Sequence, residues 1–370
     1  MDLPEIVSMV ASFLGRSDLA AAALVCKNWN AIISSALYSS IKLSSSPTIR
    51  SPSKDGVMAN IEYIQYLDLS FSVSASEFEY LYTIPHLCFP SLRKLRLDST
   101  QHNLPIDRQL QIIRKCPALK DLIWLNRRFG SHQSYPSAEV CELFKTYCPF
   151  VERLDIGENS LKDNDLAQIL DSCRRIKYFF VLPSSFGELA FGSLAKHYEH
   201  IQDLQLSGSS LTSKMAQAIM TNCPNLVRFW GVTLEAKDIL GIPDENATGD
   251  HTLVQQAPRE WVCTKVYLLS IFICGLETKS IDWHQKVFQQ LARLDKLLFL
   301  VVGPGSSFRG QSGDGLDFRL EAGLSHLGSL KRLAVLDARG LVLPLDTKEA
   351  KWITETWPRG KVLSTKVRMT

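Results

Sequence analysis

The sequence contains no C-x-x-C pair, no G-x-S-x-G, no H-E-x-x-H and no G-x-x-x-x-G-K-[S/T]. The first absence argues against a zinc module, and an odd count of nine cysteines argues against a disulfide framework. The others remove the nucleophile elbow, the zinc-binding helix and the phosphate-cradling loop; the glycine-rich stretch at 303–315 lacks the P-loop lysine. Charge of one sign is also missing: 41 basic against 38 acidic residues leave +3, too weak a field to imply a nucleic-acid partner. The longest nearly uncharged apolar run, residues 266–276, falls well short of the roughly 20 residues that cross a bilayer. Met1-Asp2-Leu3-Pro4 has no basic segment ahead of an apolar one. The eight histidines have no metal-ligand spacing, and Cys141 and Cys148 with His132 lack a third, orienting group for nucleophilic chemistry. The expectation is a soluble, non-secreted, non-catalytic protein, cytoplasmic and/or nuclear, with no cofactor, no metal, and neither membrane nor nucleic acid as partner.

What is present is a period. Cys148-Pro149 is followed by Val151, Leu154 and Ile156; Cys173 by Ile176, Phe179 and Val181. Cys116-Pro117, Cys223-Pro224 and Cys263 open the same frame, with Trp124 or Leu125 third in the first of these. Without the cysteine, the frame recurs at Ile64/Leu67/Leu69, Leu92/Leu95/Leu97, Ile201/Leu204/Leu206, Leu294/Leu297/Phe299 and Leu330/Leu333/Val335. Helix-compatible stretches such as 165–170 and 214–220 lie between, so each of about ten units reads strand, turn, helix. The shared cysteine phase has a plain reason: a small thiol fits where one repeat packs on the next. These units resemble cysteine-containing leucine-rich repeats. That resemblance implies an α/β solenoid over 61–346, a horseshoe with a parallel concave sheet and outer helices, with insertions near 241–261 and 303–315.

Residues 44–60 are serine- and proline-rich without periodicity and read as a linker. Ahead of them, apolar spacing from Ile6, Pro4 in a first turn, and Ser17 or Asp18 as a cap predict three short helices over 1–43. So few large side chains make a marginal core alone, and a partner is expected to complete it. The ordered Leu3-Pro4-Glu5-Ile6, Asp18-Leu19 and Val25-Cys26-Lys27-Asn28-Trp29 set resembles the F-box, with the acidic residue one place earlier than in many members. By that resemblance the helices dock on a Skp-family adaptor that bridges to a cullin and a RING subunit. Leu3, Pro4, Ile6, Val7, Leu14, Leu19, Val25, Cys26 and Trp29 then take adaptor-contact or F-box-core roles, which the sequence does not separate.

In each repeat strand the residues flanking the anchors face the concave side, where repeat proteins commonly bind. Early repeats present charge, as at Lys94/Arg96/Asp98; later ones present Leu268/Ser270/Phe272, Lys296/Leu298/Leu300 and Arg332/Ala334/Leu336. The late apolar stretches need a cover, either an internal lid from an insertion or a bound segment. Aromatic and arginine side chains dominate interface hot spots, so Arg96, Tyr178, Phe180, Arg228 and Trp230 are the candidate target-binding residues. Residues 347–370 read as a helix stopped before Pro358, with Trp352, Ile353 and Trp357 as an apolar stripe that caps the last repeat, and a tail. Together these point to the substrate-recognition subunit of a Skp–cullin–F-box ubiquitin ligase, binding an unknown protein target for degradation. The alternative is a leucine-rich-repeat scaffold acting outside any ligase.

Overall fold

In a computed structural model of the chain, residues 4–43, 53–70, 79–98, 104–125, 136–157, 161–182, 186–206, 210–242, 260–276, 280–303, 315–338, 347–358 and 360–363 are described. Two units emerge, the first comprising 1–161 with 168–176 and the second 162–167 with 177–370.

The first unit opens with three helices, α1 (Pro4–Ala11), α2 (Arg16–Ala23) and α3 (Lys27–Ser39). Pro4 stands first in α1, where its missing N–H costs nothing. The expected cap of α2 is corrected: Gly15 holds the N-cap position, and Ser17 and Asp18 lie inside the helix. Val7, Ala11, Leu19, Ala23 and Ile33 form the three-helix core, with Leu14, Trp29 and Leu37 packed against it. Asn30 Nδ2 donates to the Ala23 carbonyl at 3.0 Å and ties the end of α2 to α3.

From Ser39 the chain passes directly into β1 (Ser40–Lys42), then α4 (Lys54–Ala59), β2 (Tyr66–Leu69), α5 (Glu79–Thr83), β3 (Lys94–Asp98), α6 (Ile106–Arg114), β4 (Asp121–Leu125), α7 (Ser137–Tyr147) and β5 (Arg153–Gly157). Strands β1 to β5 pair in sequence order, all parallel. The expected linker is therefore revised at both ends. The last residues of the helical segment already belong to the sheet, and Ser53, accepting from Gly56 N–H at 3.1 Å, caps a helix within 44–60. Serine composition marks a turn, but α4 carries four apolar or small residues, Gly56, Val57, Met58 and Ala59, and Val57 is buried.

In the second unit lie the start of α8 (Asp163–Ser172), then β6 (Tyr178–Leu182), α9 (Glu188–Leu194), β7 (Asp203–Gln205), α10 (Ser213–Asn222), β8 (Arg228–Glu235) and α11 (Ala236–Ile239). They are followed by β9 (Leu268–Cys274), α12 (Ile281–Ala292), β10 (Phe299–Val302), β11 (Val335–Asp337), α13 (Thr347–Thr356) and β12 (Lys361–Leu363). Strands β6 to β12 again pair in sequence order and parallel. The Asp163 carboxylate accepts the N–H groups of Gly187, Leu189 and Ala190 at 2.8–3.0 Å, so one repeat caps the helix of another. Between β8 and β9 the register shifts, and Gly231 at φ 70° supplies the left-handed residue that this bulge requires.

The repeat frame holds, with one correction of phase. The anchors Leu92/Leu95/Leu97, Val151/Leu154/Ile156 and Ile176/Phe179/Val181 are all buried, and Trp124, not Leu125, is the third anchor of its repeat, in register with Leu97 and Ile156. Trp124 Nε1 donates to the buried Gln109 Oε1 at 2.6 Å. In the last two repeats the frame moves three residues on. Leu300 pairs with Leu269 and Leu336 with Leu300, so the anchors are Leu297/Leu300/Val302 and Leu333/Leu336/Ala338. Leucines at 294, 297 and 300, and at 330, 333 and 336, satisfy a three-residue spacing twice; the backbone ladder chooses between them. That ladder runs from Val227 through Tyr267, Leu298 and Ala334 to Lys361 by successive N–H to carbonyl bonds of 2.8–3.0 Å.

The C-terminal helix is likewise more than a bare cap. Trp357 is buried, donates from Nε1 to the Leu330 carbonyl at 3.1 Å and meets Trp352 edge-on at 5.3 Å. The chain then adds β12 beside β11, completing a further helix–strand unit. The corrected register makes a sharp prediction. Leu300→Ala should lower the stability of the second unit by about 2–5 kcal/mol, and Phe299→Ala by about 1 kcal/mol or less. Urea unfolding of both variants decides it; the reverse order would restore the earlier phase.

Candidate functional site

On α1 the structure separates two apolar stripes. Val7, Ala11 and Leu14 turn inward, whereas Ile6, Met9, Val10 and Phe13 stay in solvent, Phe13 at 84% exposure. The spacing i, i+3, i+4, i+7 puts the second set along one side of the helix and the turn that follows it. Beyond α2, Leu24 and Val25 are 85% and 66% exposed. Val7, Leu14, Leu19 and Trp29 thus belong to the core, while Pro4, Ile6, Val25 and Cys26 lie at the surface. Leu3 lies outside the described residues. Cys26 is also structural, its Sγ accepting the Trp29 N–H at 3.4 Å as the N-cap of α3. Met9, Val10, Phe13 and Leu24 are not among the sequence candidates; the signal for the first three is that α1 and the turn after it are apolar on two sides, more than the small core uses.

The outward sheet residues fall into rows set by register. In the first unit, Tyr66, Lys94, Asp121 and Arg153 stand side by side, and beside them Asp68, Arg96, Ile123 and Asp155. Lys94 Nζ lies 3.5 Å from Asp121 and 5.2 Å from the centroid of the Tyr66 ring, whose hydroxyl donates to Asp68 at 2.8 Å. Burial raises the Asp121 carboxyl above the usual carboxylate range, against the pull of Lys94 and Arg153. Burial and the Asp68 hydrogen bond likewise raise the Tyr66 phenol.

Arg96 therefore belongs to the first unit, and the other four candidates to the second. There Tyr178, Asp203 and Arg228 are in register across β6, β7 and β8, with Phe180, Gln205 and Trp230 beside them, so the four share one face. Tyr178 donates its hydroxyl to Gln202 Oε1 at 2.8 Å, and Arg228 is ion-paired with the buried Asp203. Trp230 adjoins the Gly231 bulge. The corrected register changes the later rows: Phe299/Val301 and Val335/Asp337 replace Lys296/Leu298/Leu300 and Arg332/Ala334/Leu336, and Phe272 is buried. Of the two insertions invoked as lids, 243–259 and 304–314 lie outside the described residues.

Cys116, Cys148, Cys173, Cys223 and Cys263, the cysteines of the repeat phase, are all buried. Burial pushes the Cys148 and Cys263 thiols up to about 12, and the other three upward as well, so they stay protonated and unreactive at neutral pH. His132 lies outside the described residues. Among the described residues no three His, Cys, Asp or Glu side chains gather as a metal site, and no helix is long and apolar enough to cross a membrane. A thiol reagent near pH 8 should label Cys26 and Cys88 in the native protein, Cys274 more slowly, and the six buried cysteines only after unfolding. Mass mapping of labelled peptides checks this, and rapid native labelling of Cys148 or Cys223 would contradict the packing.

Residues 4–44 match the F-box-like family. No curated protein sequence matches the chain. Among solved structures, an internalin from Listeria monocytogenes is similar over 99% of this chain and 90% of its own, at 11% identity and a TM-score of 0.43. A leucine-rich-repeat protein of Leptospira interrogans is similar over 89% of this chain and 91% of its own, at 14% identity and a TM-score of 0.36. Likenesses at that level carry no weight here; the repeat assignment rests on the chain's own anchors and ladder. The chain thus joins an N-terminal F-box-like helical domain to parallel strand–helix repeats of the leucine-rich kind.

Proposed function

We propose that this chain is the target-recognition subunit of a Skp–cullin–F-box type ubiquitin ligase. The observation that carries the reading is the exposure of Ile6, Met9, Val10, Phe13, Leu24 and Val25 within the residues that match the F-box-like family. Large apolar side chains left in solvent on a three-helix core mark a surface that a partner covers. A Skp-family adaptor fits that surface, and a cullin and a RING subunit follow through the adaptor. The repeats then hold a protein target on their outward sheet rows.

In this reading the chain contributes no bond chemistry. It raises the effective concentration of the target near a conjugating enzyme carried by the other subunits, which is sufficient to determine what is modified. Local structure suits the task. Helix α3 runs into β1 without a linker, and Gln65 N–H donates to the Ser39 carbonyl at 2.8 Å. The N-terminal helices and the first strands of the sheet are therefore parts of one unit.

The test is copurification of the full chain with a Skp-family adaptor and a cullin, beside Phe13→Glu and Leu24→Glu. Both side chains are more than four-fifths exposed, so the substitutions should leave the melting temperature unchanged. Wild type should recover both partners, and each variant should bind the adaptor roughly 30-fold or more weakly, as loss of an interface hot spot does. Recovery of the adaptor without cullin would favour the scaffold reading. Recovery of neither by folded wild type would remove the ligase reading.

A further inference from the structure

His284, on α12, is a buried titratable side chain that the repeat frame does not require; its neighbours Val287, Phe288 and Leu291 on the same helix are buried and apolar. Its Nδ1 accepts the Asp317 N–H at 3.3 Å, and the Leu276 carbonyl, just beyond β9, is a second hydrogen-bond partner of the imidazole. One nitrogen accepting and the other donating is the pattern of a neutral ring, with the lone pair on Nδ1. The segment 315–324 is thereby fastened to α12. Gln285 Nε2 adds a donation to the Glu321 carbonyl at 3.0 Å, and Glu349 of α13 accepts the Leu320 N–H at 3.0 Å. Phe318 meets Phe288 edge-on at 5.6 Å. A Cβ on Gly323, whose φ is 111°, would stand 2.9 Å from Gln285 Cα, so the segment sits hard against the helix.

Protonation inverts one of these ties. Imidazolium carries an N–H on both nitrogens, so Nδ1 turns from acceptor to donor and faces the Asp317 N–H. The Asp317 carboxylate is the near group that could accept from it, but Arg319 already occupies that carboxylate, with Nε at 2.8 and 3.0 Å and Nη2 alongside. Burial raises the Asp317 carboxyl, yet the hydrogen bonds and charge of Arg319 hold it below the usual carboxylate range. The remaining charges offer no substitute: Arg319 repels an imidazolium, Glu321 and Glu349 act on Arg319, and Asp282 pairs with Lys286 at 2.6 Å. Burial, against the pull of Asp317 and the Leu276 carbonyl, holds the imidazole below its ordinary value of 6.5. A group lowered in this way lends its stability above that ordinary value and loses it as pH falls through the native one.

We propose that His284 is an acid-sensitive clasp: neutral, it fastens the segment 315–324 to α12, and protonated, it releases the Asp317 N–H and loosens that segment ahead of the rest of the second unit. The clasp is independent of the ligase reading.

The experiment is hydrogen exchange of the full chain, read by mass spectrometry at about pH 7.5 and about pH 5.5, on either side of the histidine range, with rates corrected for the intrinsic pH dependence of exchange. In wild type the fragment covering 315–322 should lose protection about fivefold at the lower pH, as the loss of one hydrogen bond predicts. His284→Asn places Oδ1 where Nδ1 stands and cannot titrate, so its protection over 315–322, whatever its level, should be the same at both pH values. Equal protection of wild type at the two pH values would overturn the proposal, as would the same acid loss in His284→Asn. If that variant does not fold, wild type alone decides: a loss confined to 315–322 and the first turns of α12 supports the clasp, and a uniform loss across the second unit counts against it.

Discussion

Each strand–helix repeat of this chain has an apolar edge that it cannot bury by itself, and only the next repeat covers it. Within each unit that constraint organises nearly everything else. Anchors such as Leu95, Leu122 and Leu154 lie directly beside one another across neighbouring parallel strands and are wholly buried. From the second strand of each unit onward, the residue before the strand, or in β12 its first residue, donates its N–H to the equivalent carbonyl of the previous repeat. The cysteine phase follows from the same geometry: where the helix meets the start of the next strand there is room for a thiol and no water to ionise it.

The anchors fill the inner side, and the residues between them differ in chemistry from repeat to repeat, Asp68, Asp203 and Asp337 among them being buried. The first unit uses them for interlocked charge, Lys94 with Asp121 and Arg96 over Asp98. In the second unit, Arg228 is matched by Asp203, and later positions are held by Leu268, Phe299, Val301 and Val335. The partly exposed pairs of the first unit contribute little stability, whereas the buried Asp203 depends on Arg228 beside it. These pairs fix where the charged side chains of each outward row stand.

The helical segment obeys a different constraint. Its core of mostly small and medium side chains, with Ala11, Ala23 and Ile33 at its centre, leaves a second apolar stripe unused on α1 and a pair beyond α2. A larger core would have absorbed them. Fusion of α3 to β1 ties the segment to the sheet, and the second apolar stripe stays in solvent.

The sequence by itself determined the period, the anchor types and the existence of three helices ahead of the repeats, because apolar spacing and the Leu-Pro and Val-Cys-Lys-x-Trp set are local patterns. It also placed Tyr178, Phe180, Arg228 and Trp230 on one kind of position, since alternation along a strand is a property of the strand alone. Only tertiary structure decided the phase of the last two repeats, where three leucines in a row of threes fit two frames and hydrogen-bond register selects one. It alone divided the helical residues into core and surface, because Ile6 and Val7 are equally apolar and differ only in which direction the helix turns them. It alone found β1 and β12, three residues each, whose pairing comes from a neighbour distant in sequence. Local patterns carry the repeat; pairing between distant segments sets its register, its ends and the surface it offers.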